Sequence, residues 1–145
     1  GYQRFRALRA GSRVALVAPA SPFDRDAFDA GCRELARLGL QAVFDERVLP
    51  NPFYEQGLRA QTGRDDGVIE FLERQPEVAQ MLRHIADFLG RWLPAFERDQ
   101  RAYLTVAVGC TGGQHRSVYI TEQLALRMAG NSDTLVRHRE LDARE

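Results

Sequence analysis

The densest cluster of chemically able side chains is Cys110-Thr-Gly-Gly-Gln-His-Arg-Ser117. It follows an apolar run, Tyr103-Leu-Thr-Val-Ala-Val-Gly109, and precedes a helical stripe with Ile120, Leu124 and Met128 on one face. Gly109, Gly112 and Gly113 let the backbone turn sharply and approach a ligand closely. A loop that feeds a helix N-terminus offers free N–H groups and the positive end of the macrodipole, which attract anions. Thr111 and Ser117 add hydroxyls, His115 an imidazole and Arg116 a planar guanidinium suited to phosphate. Phosphate is therefore the expected guest. The bland alternative is a tight turn whose glycines serve geometry alone. A second alternative is catalytic. Cys110 to Arg116 has the Cys-x5-Arg spacing, followed by Ser, of cysteine-dependent phosphatases. There a thiolate, activated at the helix N-terminus, attacks phosphorus while the Arg clamps the oxygens. That chemistry also needs a general acid, for which Asp45 and Asp65 are the candidates.

The elements that must position this loop can be read from periodicity. Arg13-Val-Ala-Leu-Val-Ala18 is a continuous apolar run ended by Pro19, the pattern of a strand buried on both faces. An amphipathic stretch from about Asp24 to Leu38 carries Phe28, Cys32 and Leu35 at helical spacing and stops at Gly39; Cys32 is expected in the core. Gln41 to Asp45 reads as a second strand, completing a right-handed βαβ unit. Leu49 to Asp66 reads as a long structured loop, and 66–73 as a short helix. The strongest stripe is Val78, Met81/Leu82, Ile85, Phe88/Leu89, Trp92 and Phe96, with Pro94 expected to kink or end it. Thr134 to His138 is a last strand. Arg139 to Glu145 reads as an exposed tail.

These elements predict one α/β domain over 1–145. It has three layers, with a mainly parallel sheet of about four core strands flanked by helices. The first and third strands should be neighbours, which places residues 19–21 beside 110–116. Ligands of open α/β sheets bind beyond the C-terminal strand ends, so Asp45-Glu-Arg47 approaches the same crevice.

Composition excludes several classes. The chain has 145 residues, enough for a core without staples. All 20 basic residues are Arg, so Schiff-base chemistry and a Walker lysine are absent. Net charge is zero, so no global field draws nucleic acid. Two cysteines give neither a disulfide framework nor a metal cluster, and a reduced, cytoplasmic setting is expected. No apolar run spans a bilayer, and no secretory leader opens the chain. The first residue is Gly1 and not Met, which fits a segment of a longer protein. Arg127, Arg137, His138 and Arg139 are candidates for a local basic stripe toward RNA, although Asp133, Glu140 and Asp142 weaken its field.

The segment 103–117 closely resembles the C-terminal domain of the RapZ family, the RNase adapter proteins. So do Phe44-Asp45, Leu49-Pro-Asn-Pro52, Leu58-Arg59, Thr62-Gly-Arg-Asp65 and Arg137-His-Arg139, in the same order and spacing. The resemblance runs from about residue 44 to the end. The opening, Leu8-Arg-Ala-Gly-Ser-Arg-Val-Ala-Leu-Val-Ala-Pro-Ala-Ser-Pro22 with Leu35-Ala-Arg-Leu-Gly-Leu40, instead resembles the start of LD-carboxypeptidases. The chain thus reads as a join of two families, 1–43 and 44–145. The peptidase's catalytic segments are missing, so peptidase activity is not expected.

The RapZ resemblance implies a non-catalytic regulatory domain. It implies a ligand of the glucosamine-6-phosphate kind, and small RNA and ribonuclease E as partners. It also implies possible assembly into homo-oligomers, and no cofactor, metal or membrane. Carried over by position, the sugar-phosphate pocket comprises Asp45, Cys110, Thr111, Gly112, Gly113, His115 and Arg116, with Ser117 beside them from the residue pattern. Phe53 stands where some metabolite-sensing members have His, which bears on the choice of sugar. The remaining alternative is a structural chimera that keeps the fold without the function.

Overall fold

A computed structural model describes residues 13–18, 40–98, 103–129 and 133–142. Four strands are present, β1 (Arg13–Ala18), β2 (Leu40–Asp45), β3 (Tyr103–Gly109) and β4 (Asp133–His138). Among the described residues these are accompanied by the helices α1 (Asp66–Glu73), α2 (Pro76–Arg98), α3 (Arg116–Met128) and the single turn α4 (Arg139–Asp142). Two 3-10 turns, Glu46–Val48 and Pro52–Tyr54, lie between β2 and α1.

The strands form one sheet in the order β2-β3-β1-β4, and every pairing is parallel. The apolar runs of β1 and β3 lie at its centre, as continuous hydrophobicity requires of strands covered on both faces. Their adjacency, with Val14 opposite Leu104 and Leu16 opposite Val106, is as expected from sequence. Residues 19–21, the helix expected over 24–38 and the expected core position of Cys32 lie outside the described residues.

On the described face, Leu104, Val106 and Val108 of β3 meet Val68 and Leu72 of α1, and Val78, Leu82, Ile85, Leu89 and Leu93 of α2. Ile120, Leu124 and Met128 of α3 complete the same cluster. Burying a side chain of this size stabilises the fold by roughly 1.5–3 kcal/mol, so this cluster fixes α3 on the sheet. The stripe of α2 differs in detail from the expectation. Leu93 is buried, whereas Phe88 and Trp92 are 41% and 46% exposed. The buried set steps by three or four residues, and each of the two aromatics sits one residue, about 100°, before a core position. Phe88 packs its ring edgewise on Phe44 instead, with centroids 5.7 Å apart. Pro94, expected to kink or end the helix, does not end it: the helix continues to Arg98. A proline removes one N–H bond to the preceding turn, and the rest of the ladder holds. The side chain of Phe96 is outside the described residues. The expected tail begins as α4, with Arg139 exposed.

Candidate functional site

β3 delivers the loop, and the register explains how β2 reaches it. Asp45 pairs with Gly109, the residue before Cys110. The turn after β2 therefore lies against the start of the β3–α3 loop. Asp45 caps that turn, accepting from the Arg47 N–H at 3.0 Å and from Arg47 Nε at 2.8 Å. The Arg47 side-chain hydrogen bond holds the Asp45 carboxyl below its usual range, with a smaller pull from Arg116.

Arg116 is the hub, only 4% exposed. Its NH1 donates to the carbonyls of Arg47 and Leu49 at 3.0 and 2.8 Å, and its NH2 reaches Thr111 Oγ1 at 3.5 Å. The guanidinium thus faces inward. It staples the post-β2 turn to α3 and places a buried positive charge behind Thr111. Its Nε is buried without a partner.

The loop's outer edge is different. Thr111 and Gly112 are exposed, and a Cβ at Gly112 would meet nothing within 4 Å. Gly113 adopts φ +62, a left-handed conformation that favours glycine. Among the described residues, no turn or cap hydrogen bond uses the N–H of Thr111, Gly112 or Gly113. His115 occupies the cap position of α3 without capping it through its side chain, and the first turn holds no acidic residue. Such an uncapped N-terminus is suited to an anion.

Inside the loop, Cys110 Sγ and Ser117 Oγ lie 3.1 Å apart and both residues are buried. His115 is buried too, its Nε2 3.2 Å from the Leu58 carbonyl. Burial pushes its imidazole below the usual range, against backbone contacts led by Leu58. Near neutral pH it therefore supplies shape and a hydrogen bond, not positive charge. Asp65 accepts from the Thr62 N–H at 2.6 Å and from Thr62 Oγ1 at 2.9 Å, which holds its carboxyl low. Both acid candidates are thus stabilised as carboxylates, the opposite of what a general acid requires.

The sequence reading missed two residues. Gly63 donates to the Gln114 carbonyl at 2.7 Å, and a Cβ there would lie 2.3 Å from His115 O and 2.4 Å from Tyr119 N. Only glycine allows this turn to rest on the start of α3; the Thr62-Gly-Arg-Asp65 motif was the available signal. Glu46 is 0% exposed, although its place between Asp45 and Arg47 gives no hint of burial.

The basic stripe needs correction. His138 is fully buried, with Nε2 2.7 Å from Glu122 Oε1, and Glu122 also accepts from Arg64 Nε at 2.8 Å. Strand alternation turns His138 and Val136 inward and leaves Arg137 exposed on the opposite side. Arg127 is half-buried and donates to the Gln123 carbonyl at 3.3 Å, and Arg139 pairs with Glu140 at 3.2 Å. The four residues do not form one continuous surface row.

Residues 28–142 match the RapZ C-terminal domain family, a span that holds the whole loop and every residue around it. The chain belongs to that family. The match starts at residue 28, ahead of the expected start near 44. A nucleotide-binding protein of Methylibium petroleiphilum is 57% identical over 140 residues, covering 94% of the chain and 45% of the relative. That alignment also crosses residue 44. Nucleotide-binding proteins of Acidovorax sp. strain JS42 and Leptothrix cholodnii are each 64% identical, over 69% and 71% of the chain and 35% and 32% of their own length. The RapZ-type chain therefore spans less than half the length of these curated relatives.

Proposed function

We propose that this RapZ C-terminal domain is a non-catalytic regulatory module. It receives a phosphorylated aminosugar of the glucosamine-6-phosphate kind at the β3–α3 loop. The observation that carries this reading is the exposed Thr111 and Gly112 ahead of an α3 without a side-chain cap, with the Arg116 guanidinium buried beside Thr111. The phosphate would rest on loop N–H groups, with the Thr111 hydroxyl oriented by Arg116. Asp45, kept ionised by Arg47, would accept from a sugar hydroxyl or amine. The name nucleotide-binding protein, given to the longer relatives, supports a phosphate-bearing ligand. Small RNA and ribonuclease E are proposed partners of the larger protein, on family membership. Calorimetry with glucosamine-6-phosphate, glucosamine and inorganic phosphate tests the reading. Binding should require the phosphoryl group, and silence from both phosphorylated ligands at millimolar concentration would refute it.

One rival is favoured by the Cys110–Ser117 contact, which brings a thiol and a hydroxyl within 3.1 Å inside the Cys-x5-Arg loop. Cysteine phosphatase chemistry would appear as turnover of an aryl phosphate that vanishes in Cys110→Ser. The inward commitment of Arg116 argues against it.

A further inference from the structure

Among the described residues, Glu46 is the only acidic side chain fully removed from solvent. Neither carboxylate oxygen has a hydrogen-bond partner, and Arg116 Nε is likewise buried and unpaired. The 3-10 turn that carries Glu46 packs on β3 and α3. The carbonyl of the next residue, Arg47, and that of Leu49 are the two held by Arg116. A carboxyl so placed, buried on a turn that Arg116 ties to the start of α3, is penalised as an anion and gains nothing from hydrogen bonds. Desolvation pushes it up to about 7, with Asp45 adding to the rise and Arg116 opposing it.

We propose that Glu46 makes anion binding at the β3–α3 loop proton-coupled: the anion-bound domain holds Glu46 as a neutral carboxylic acid, and an ionised Glu46 weakens the hold on the anion. This rests on the phosphate-binding reading above. An anion at the start of α3 adds negative potential at Glu46, so binding near neutrality raises the protonated fraction of its carboxyl and draws part of a proton from solvent. Of the groups around it, Asp45 is held below the usual carboxylate range by Arg47, burial pushes the His115 imidazole below its usual range, and β3 carries no charged side chain; a slope that came from His115 would persist when Glu46 is replaced.

Sulfate is the probe, because its charge does not change between pH 6 and 8. Titration calorimetry in two buffers of different ionisation enthalpy reads affinity and proton uptake together. The wild-type domain should bind sulfate about fivefold more weakly at pH 8 than at pH 6, as expected if the anion moves the neighbouring pKa by about one unit. It should take up a fraction of a proton at pH 7. Glu46→Gln and Glu46→Met, two replacements of similar length, should show neither effect. Wild-type binding that is flat with pH, or a slope that survives in either folded variant, overturns the coupling while leaving the ligand reading intact. If the wild type binds neither sulfate nor glucosamine-6-phosphate at any pH, both readings fall.

Discussion

Arg116 and Glu46 are the buried charges that shape the loop, and their consequences differ. Arg116 spans two carbonyls and a hydroxyl through a rigid fork. Lysine carries one point charge and cannot bridge all three. Arg116→Lys should therefore lose about 1–3 kcal/mol of stability in urea titrations, and sulfate binding should weaken with it. Unchanged stability would show that the staple contributes nothing. Glu46 sets a pH dependence of its own. Its carboxyl is raised from 4.5 to about 7 in the folded domain. Between these values the native state holds more protons than the unfolded chain, so stability falls as pH rises through that window and levels off above it. The loss is on the order of 2–3 kcal/mol. Melts of wild type and Glu46→Gln from pH 4 to 8 should diverge in that window, the variant lacking the slope; parallel curves would contradict the burial argument. The candidate-site residues around Cys110 and Arg116 stand out in sequence because Gly, Cys, His and Arg crowd one strand-to-helix turn. Glu46 was not, because Asp-Glu-Arg after a strand has the pattern of a solvated turn, and only the packing of that turn on β3 and α3 removes it from water.

At the scale of elements, the loop is rigid because a second segment rests on it. Gly63 touches the backbone of His115 and Tyr119, and backbone atoms cannot move aside. Gly63→Ala should cost about 2–4 kcal/mol, at the upper end for a single substitution. Gly112→Ala, facing open space, should change stability by no more than about 0.5 kcal/mol while impairing access to the anion seat. Thermal melts of the two variants separate these roles, and equal losses would contradict the docking argument. The strands were legible because β1 and β3 are continuous apolar runs, which only a central parallel position accommodates. The sequence reads as a short helix over 66–73, the bounds that α1 has. The course of residues 49–66 was not, because it depends on partners far along the chain. The Leu58 carbonyl meets His115, and Gly63 meets Gln114. Nor does propensity foresee that α2 runs on past Pro94, since packing of Leu89 and Leu93 on the core decides the matter.

At the scale of the whole molecule, charge is the governing quantity. The net charge is zero, and no described helix is long and apolar enough to cross a membrane. Nucleic acid must therefore find a local patch. His138 is buried and Arg127 is half-buried against its own helix, which leaves Arg137 and Arg139 as the exposed members of the expected row. Arg139 already faces Glu140. Each phosphate neutralised on a single strand adds about −0.7 to the slope of log affinity against log salt, so two contacts give about −1.4 at most. The isolated domain should therefore bind structured RNA weakly, at roughly micromolar affinity or looser near physiological salt. Linked copies should bind more tightly through avidity alone. Arg137→Ala with Arg139→Ala should flatten the slope toward zero while sulfate binding at the β3–α3 loop persists, because neither residue contributes to that loop. A gel-shift salt titration on both proteins measures this directly. A wild-type slope much steeper than two contacts allow would place the RNA surface elsewhere on the molecule, and identical slopes in the two proteins would make Arg137 and Arg139 ordinary solvated side chains.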